Sequence, residues 1–348
     1  MIRASGRPDF DRDNALDTPT ATSRPSPLRA ALFNDTSHDR HFGCDLVVAE
    51  VDRRLAQVGV KPVWRHYVED DWRTSPEIVS STLDVDVVVV NGEGTIHDCA
   101  TWPRGARLCR VGLYAKRDLR VPSFLINATI HAIDDKAAQL LRSFNRIFVR
   151  DSASQNELRG FGIDSTVVPD ITLSADLPKA EGRSGYCYSG NVKKDSGAQL
   201  AARGKSENMP FVCVKKEEYG DAPFASSPID YARQLSSYEL MLTGRFHVVT
   251  FCLATETPFV AVESNTPKIS SLLHDIFGSA ERVISDEEIA SVDLSRFARW
   301  SDSEISKLRT FRAAAKESVD RMFAEIGAVA PGQMKRRAAP DFQIIFNG

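Results

Sequence analysis

The sequence predicts an α/β protein made of two doubly wound, Rossmann-like halves that face a cleft. From residue 28 onward, short apolar runs alternate with longer amphipathic stretches, as expected for parallel strands joined by helices. The 348 residues suffice for two ordinary domains, each with its own core. A segment of turn-forming residues with low hydrophobicity, 174–184, divides the alternation into two parts of similar size and is the predicted linker.

The first predicted half spans residues 28–175 and is built around a central strand, Val85–Val90. This β-branched run is typical of a strand buried on both faces of a parallel sheet. The predicted strands are Leu28–Phe33, Pro62–Trp64, Val85–Val90, Ser123–Ile126, Ile147–Val149 and Val167–Val168. The predicted helices are Gly43–Val58, Ala106–Leu119, Lys136–Phe144 and Ser152–Leu158, the last opened by a Ser N-cap.

The second predicted half spans residues 183–330 and repeats the alternation less clearly. Its final helix begins at a capping signal formed by Ser301 and Glu304. The predicted strands are Gly185–Tyr188, Phe211–Val214, Leu240–Leu242, Phe259–Val262 and Arg282–Ile284. The predicted helices are Ala198–Ala202, Tyr231–Leu235, His247–Ala254, Ile269–Phe277 and Ser303–Ile326. Residues 1–27 are expected to form a disordered tail and residues 331–348 a loose one.

The composition argues against several classes of protein. A formal net charge of −3 without a local Lys/Arg cluster indicates no nucleic-acid partner. There is no run of about 18 uncharged apolar residues to cross a bilayer, and the N-terminal segment lacks the apolar core of a secretory signal. A cytoplasmic protein is therefore expected, with peripheral contact at the inner membrane face as a further option. The six cysteines contain no CxxC pair and are expected to be buried single thiols, with no metal and no cofactor.

The first motif that can carry chemistry is Asn91–His97, NGEGTIH, directly after the strongest predicted strand. Gly92 and Gly94 would let the backbone turn sharply and approach a ligand, and exposed amides there can bind an anion or a sugar hydroxyl. Glu93 and His97 would then be acid/base groups in the cleft. The structural alternative is a glycine turn with a solvated Glu93. The motif is neither a GxGxxG fingerprint nor a P-loop.

The second motif is Gly244–His247, GRFH, which follows a predicted strand and begins a helix. A helix N-terminus with a guanidinium and an imidazole is suited to bind a phosphate or a carboxylate. Arg245 can form a bidentate contact that lysine cannot reproduce. His247 can protonate a carbon or a leaving oxygen, because imidazole titrates near neutral pH. The alternative is a surface arginine and a histidine that faces the core.

Three further junctions between a predicted strand and a helix carry polar residues that a ligand could contact. Simple turns and helix caps explain the same residues equally well. The candidates are Arg150 after the fifth strand, Asn34 and Asp35 after the first, and Ser264, Asn265 and Lys268 after Phe259–Val262.

Together these blocks resemble the polysaccharide pyruvyl transferase family. The matching blocks are NGEGTIH, VRDSASQNELRGFG with Pro169-Asp170, and GRFHVVTFCLATETPFVAVESNTPKISSLLHDIFG. The resemblance covers about residues 29–285, and the last block is the most specific because its elements occur together and in order. The first loop, NDTSHDRHFGCD, departs from the GN-x-GD pattern of many members.

The resemblance implies a GT-B-like fold and a role in polysaccharide or exopolysaccharide biosynthesis. It implies phosphoenolpyruvate as donor and a saccharide, lipid- or nucleotide-linked, as acceptor, with ketal formation and release of phosphate. Arg245 and His247 would face the donor, joined by Arg150, and the second half would be the donor side. His247 would then be the proton donor, and His97 or Glu93 the base toward the acceptor hydroxyl on the first half.

Two other functions are compatible with the same residues. A GT-B-type glycosyltransferase would use the glycine motif and Arg245 to bind the diphosphate of a sugar nucleotide, on the same fold. A non-catalytic member of the family would bind ligands in the cleft without turnover. Binding of phosphoenolpyruvate rather than nucleotide-sugars would distinguish a pyruvyl transferase from the glycosyltransferase. Turnover would distinguish it from the non-catalytic member.

Overall fold

A computed structural model describes residues 26–216 and 225–329 of the chain. The two predicted tails lie outside these residues, except for Ser26 and Pro27. Within the described ranges the chain forms two parallel sheets with helices on both faces, which agrees with the predicted α/β class.

The first sheet has six parallel strands. They are β1 Leu28–Asp35, β2 Val60–Tyr67, β3 Val87–His97, β4 Ser123–His131, β5 Arg146–Val149 and β6 Thr166–Val167. Their spatial order is β2–β1–β3–β4–β5–β6, so the winding reverses between β1 and β3. In doubly wound sheets this reversal opens a crevice at the carboxyl ends of the strands, where ligands bind.

The second sheet has four parallel strands, and their spatial order is β10–β9–β8–β7. They are β7 Tyr186–Asn191, β8 Leu240–Gly244, β9 Phe259–Val262 and β10 Val283–Ile284. The predicted strand Phe211–Val214 is wrong, because only Phe211 pairs, in an isolated bridge with Tyr188 on which its ring also packs. The residues after it leave the sheet and contact the other half, where the carbonyl of Val214 accepts from the Phe42 amide.

Eleven α-helices within the described ranges connect the strands. They are α1 Phe42–Gln57, α2 Pro76–Val79, α3 Pro103–Cys109, α4 Val111–Tyr114, α5 Asp135–Leu141, α6 Ser152–Gly160, α7 Lys194–Ser206, α8 Pro228–Ser236, α9 Phe246–Thr255, α10 Lys268–Phe277 and α11 Asp302–Gly327. The capping box of Ser301 and Glu304 at α11 is confirmed. At α6 the side-chain cap is Asp151, whereas Ser152 donates to Asp275 of the second half.

The motif Asn91–His97 is not a loop, as the sequence predicted, but the second part of β3. It stays paired because β4 is also longer than predicted and lies beside it as far as His131. The pairing register shifts between Glu93 and Ile96, and Glu93 has a φ of 39°, in the left-handed region. This bulge redirects the Glu93 side chain, which an ideal strand would not do.

Four hydrophobic clusters fill the space between sheets and helices. In the first half, one face of the sheet packs against α3 to α6 and the other against α1 and α11. In the second half, one face packs against α8 to α10 and the other against α7. Phe42 and Leu46 of α1 belong to the cluster of the second half, as does Leu308 of α11. The two halves therefore share a hydrophobic core.

The six cysteines are free and buried, which confirms the expectation of single thiols. None of the helices within residues 26–216 and 225–329 is long and apolar enough to cross a membrane.

Arg54 fixes α1 to the segment that joins the two halves. Its side chain is 2% exposed and pairs with Glu50 and with Asp320 of α11. It also donates to the Ser174 hydroxyl over 3.0 Å. A buried guanidinium with these partners holds α1 in place, and the amino end of α1 reaches the second half.

Replacing Arg54 by alanine should lower the free energy of unfolding by about 2–3 kcal/mol, because buried polar partners lose a charged donor. Its neighbour Arg53 is a matched control, since its side chain is 47% exposed and pairs only at the surface of the same helix. Arg53→Ala should cost no more than about 1 kcal/mol. Urea unfolding of both variants measures the difference, and equal losses would contradict the role given to Arg54.

Candidate active site

A cavity of ≈ 440 Å³ lies where the carboxyl ends of the two sheets meet. Its walls come from residues that end or follow strands of both halves, as expected for a doubly wound fold. Nine of the twelve residues proposed from the sequence line it: Glu93, Gly94, His97, Arg150, Arg245, His247, Ser264, Asn265 and Lys268.

The other three proposed residues lie behind the wall of the cavity. The Asn34 amide donates to the carbonyl of Asn91 over 2.6 Å, and thereby holds β1 against β3. Asp35 is buried in an ion pair with Arg65 of β2. A Cβ on Gly92 would lie 2.7 Å from Cα of the neighbouring strand, so this glycine serves strand packing. Their contacts are structural and support the groups in front of them.

Glu93 is a buried carboxylate with three donors around it. Its Oε1 accepts from Thr36 over 2.6 Å and from Asn91 over 2.8 Å, and its Oε2 accepts from the Cys44 thiol over 3.4 Å. Burial raises the pKa of Glu93 above its usual value, while the Thr36 and Asn91 hydrogen bonds and the charge of Arg150 act in the opposite direction. The carboxylate is thus fixed in orientation and is more basic than an exposed one.

Arg150 reaches the cavity from the end of β5 and is 2% exposed. It donates to Asp170 over 2.8 Å and to Thr129 over 2.6 Å, and its guanidinium lies 4.0 Å from the ring centroid of Phe246. These partners compensate the burial of its charge and fix its plane. One terminal nitrogen is 3.6 Å from the position that a Cβ on Gly94 would occupy. The Arg150 guanidinium therefore lies beside Gly94 of β3 at the wall of the cavity.

The amino end of α9 forms the opposite wall. Arg245 is the N-cap residue, in extended conformation, and its amide is held by the Thr243 hydroxyl. The first backbone amides of a helix have no acceptor within the helix and favour an anion. His247, in the first turn, is buried, and its Nε2 has no hydrogen-bond partner among the described residues. This helix end thus presents donors and a guanidinium to the cavity.

His247 is electrostatically destabilised as a cation. Burial lowers its pKa well below the usual value, and the charges of Arg150 and Lys268 lower it further. These effects favour the neutral form of the imidazole. A ligand that neutralises the two neighbouring cations is expected to raise the pKa of His247 again and to let it carry a proton.

Three potential metal ligands, His41, Cys44 and His247, have donor atoms within 4.8 Å of one another. Two features do not suit a metal ion. His41 accepts the backbone amides of Gly43 and Cys44 at Nδ1, so the neutral ring carries its proton on Nε2 and offers no lone pair there. The pKa of the Cys44 thiol is raised well above its usual value by burial and by Glu93. These side chains are better suited to donate hydrogen bonds.

A series of polar side-chain contacts crosses the cleft from one half to the other. Lys268 donates to Oδ1 of Asn265 over 2.7 Å, and the amide nitrogen of Asn265 lies 3.4 Å from Nε2 of His97. Nδ1 of His97 pairs with Asp98 over 2.8 Å, which favours the proton on Nδ1 and a lone pair on Nε2. Burial, and then the charge of Arg150, lowers the pKa of Lys268 to about 7. These contacts therefore connect His97, a candidate base, through Asn265 to Lys268, which titrates near neutral pH.

Several lining residues were not proposed from the sequence. Lys215 comes next to α1 through a bridge with His41, and Trp102 and Arg104 lie where α3 begins. Lys215 could not be recognised, because its place depends on the chain leaving the second sheet. Trp102 could have been noticed as a tryptophan before a proline just after the NGEGTIH motif, although that signal is weak. His41 and Cys44 belong to the first strand–helix loop, a motif that the sequence indicated, although only Asn34 and Asp35 were proposed from it as ligand contacts.

A comparison with family models supports the family resemblance found in the sequence. The model described as polysaccharide pyruvyl transferase matches residues 35–266, two thirds of the chain. The chain belongs to the polysaccharide pyruvyl transferase family. This family modifies polysaccharides and implies a saccharide acceptor. A search of the curated proteins gave no match to the chain.

Solved structures show which fold the chain shares. It is similar to a Listeria monocytogenes protein assigned provisionally as a UDP-N-acetylglucosamine 2-epimerase, with a TM-score of 0.52 and 12% identity over 86% of this chain and 96% of that one. It is also similar to UDP-GlcNAc 2-epimerase from Methanocaldococcus jannaschii, in complex with UDP-GlcNAc and UDP, with a TM-score of 0.50 and 12% identity over 82% and 99%. These similarities establish the GT-B-like fold.

Gly43→Ala should disturb the site directly. A Cβ at this position would lie 2.5 Å from Cβ and Nδ1 of His247, closer than real Cβ contacts allow. Overpacking of this kind costs about 1–3 kcal/mol in unfolding free energy. Urea unfolding measures it, with Gly160→Ala as control, because a Cβ on Gly160 meets nothing within 4 Å. Equal stability of the two variants would contradict the close packing at His247.

Anion binding should weaken as the pH rises through the pKa of Lys268. Its ammonium is present below about pH 7 and is lost above it, so the cavity loses one positive charge. Sulfate is the probe, since its own charge does not change between about pH 6 and pH 8. Calorimetric titration should show falling affinity in the native protein and a flatter profile in Lys268→Arg. A flat profile in the native protein would contradict this assignment.

Proposed function

We propose that the chain transfers pyruvate from phosphoenolpyruvate to a saccharide, forming a ketal and releasing phosphate. The observation that carries the proposal is the convergence of Arg150, Arg245 and Lys268 with His247 in one cavity. Phosphoenolpyruvate combines a phosphate and a carboxylate on a small frame. Guanidinium groups and helix-start amides bind these groups well.

The donor would be activated by protonation. With phosphate and carboxylate neutralised by the cations, His247 regains a proton and delivers it to the methylene carbon of phosphoenolpyruvate. The carbon that bears the phosphate then becomes an oxocarbenium-like centre and accepts a saccharide hydroxyl. A positioned acid of this kind typically contributes about 10²–10⁴-fold in rate.

The acceptor would be activated from the first half. Glu93, held by three donors, and Nε2 of His97 are the candidate bases that take the proton of the attacking hydroxyl. A second hydroxyl of the same sugar then attacks the same carbon, phosphate leaves, and the ketal ring closes. The proton of this second hydroxyl leaves with the phosphate. On this proposal the first half is the acceptor side and the second half the donor side.

The acceptor would be a saccharide linked to a lipid or a nucleotide. A lipid-linked acceptor would bring the protein to the inner face of a membrane as a peripheral, cytoplasmic enzyme.

The twelve residues named from the sequence fall into two groups. Nine line the cavity and are proposed to contact the substrates, and Asn34, Asp35 and Gly92 support them from behind.

A thermal-shift series with phosphoenolpyruvate, phosphate and nucleotide-sugars tests the donor. A ligand at 100 times its dissociation constant adds about 2.7 kcal/mol to the free energy of unfolding, which is readily detected. Stabilisation by phosphoenolpyruvate that disappears in Arg245→Ala would support the proposal. Stabilisation by a nucleotide-sugar alone would overturn it in favour of a glycosyltransferase. Binding of phosphoenolpyruvate without turnover of any acceptor would favour a non-catalytic member.

Arg245→Lys should weaken phosphoenolpyruvate binding by about tenfold or more, because lysine keeps the charge but loses the bidentate geometry. Calorimetric titration measures the dissociation constant. Arg233→Lys is the control, since that side chain is 60% exposed on α8 and outside the cavity lining. Unchanged affinity in Arg245→Lys would remove Arg245 from the donor site.

A further inference from the structure

Two of the exposed large apolar side chains of the described residues stand at the mouth of the same cavity. Trp102 is 40% exposed and comes from the first half, while Val192 is 47% exposed and follows β7 of the second half. The buried lining residues of this cavity include the polar or cationic side chains of Arg150, Arg245 and His247. An apolar rim over a polar floor is suited to a ligand with one apolar face and one hydroxylated edge.

Trp102 is held in a defined position. It is the N-cap residue of α3, in extended conformation, and Pro103 follows it at the first helical position. Its amide donates to the carbonyl of Asp98 over 2.8 Å. Its ring lies nearly parallel to that of His97, at 15° and 5.8 Å between centroids. An exposed indole fixed in this way loses little conformational freedom when a ligand stacks on it.

The neighbours of the indole bear on the charge of its ligand. The Arg104 guanidinium lies 5.8 Å from the indole centroid, and it is paired with Glu69 over 2.6 Å. The pair is neutral as a unit, so this part of the rim has no excess positive charge. Of the cations that suit phosphate and carboxylate, Arg150 and Arg245 are buried, whereas the indole is 40% exposed. The rim therefore suits an uncharged ring.

We propose that Trp102 is the platform of the acceptor subsite and that a neutral pyranose ring lies with its C–H face against the indole. The hydroxyl edge of this ring would then be next to His97, which stacks on the same indole and faces Asn265 across the cleft. This inference rests on the proposed function, since it assigns the acceptor of that reaction to one wall of the cavity. A nucleobase stacked on Trp102 is the competing occupant.

Saturation-transfer NMR tests the subsite without requiring turnover. The probes are the methyl β-pyranosides of glucose, galactose, mannose and N-acetylglucosamine, with uridine monophosphate as nucleobase probe, in the presence of phosphoenolpyruvate. At least one pyranoside should show transfer to its ring C–H protons. Trp102→Ala should weaken that binding by about tenfold, and Trp102→Phe by less, because a smaller aromatic face remains.

Trp64→Ala is the matched control, because Trp64 lies on β2 and does not line the cavity. It should leave pyranoside binding unchanged. Unchanged pyranoside binding in Trp102→Ala, no response from any pyranoside, or binding of uridine monophosphate that requires Trp102 would each overturn the inference.

Stabilisation by phosphoenolpyruvate, measured on the same variants, separates this inference from the proposed function. If Trp102→Ala keeps that stabilisation and loses pyranoside binding, both stand. If it keeps both, the subsite alone is wrong. If phosphoenolpyruvate fails to stabilise even the native protein while pyranosides still require Trp102, the saccharide subsite stands and the donor proposal falls.

Discussion

The close approach of two helix amino ends, those of α1 and α9, is the constraint on which the site depends. Gly43 lets the first turn of α1 lie directly against the His247 ring, where any side chain would collide with it. Phe42 stacks on Tyr231 of the second half beside this contact, at 5.2 Å between ring centroids. Because α1 belongs to the first sheet and α9 to the second, this packing sets the distance between the two walls. Residues of both helix ends line the cavity, Cys44 from α1 and Phe246 and His247 from α9.

The second constraint is that burying positive charge is unfavourable, and several cationic groups lie together at this cavity. Arg150 is compensated by Asp170, whereas Lys268 and His247 respond to burial and to neighbouring cations with lowered pKa values. An anionic ligand would neutralise these neighbouring cations, and the relief of their mutual repulsion would contribute to its binding free energy. Glu93, oriented by three donors, brings a base to the same place. On the proposed function, this arrangement would separate donor binding from acceptor activation within one cavity.

The sequence predicted the fold and nine of the residues that line the cavity, because strand ends of a parallel sheet meet at one edge. It could not show that β3 continues through NGEGTIH, since a bulge depends on pairing with β4 as well as on local residues. Asn34 and Asp35 were placed among the ligand contacts because polar residues after a strand commonly play that role. In the structure their side chains contact the neighbouring strands β3 and β2. Lys215 owes its place to tertiary contacts that no local pattern encodes.

On the proposed function, this cavity binds phosphoenolpyruvate for pyruvyl transfer. A crystal structure of the protein with phosphoenolpyruvate tests it most directly, because it locates each group of the donor. We expect the phosphate and carboxylate to contact Arg245 and Lys268, and the methylene carbon to lie next to the His247 ring. Phosphoenolpyruvate bound outside this cavity, or with its methylene carbon turned away from His247, would contradict it.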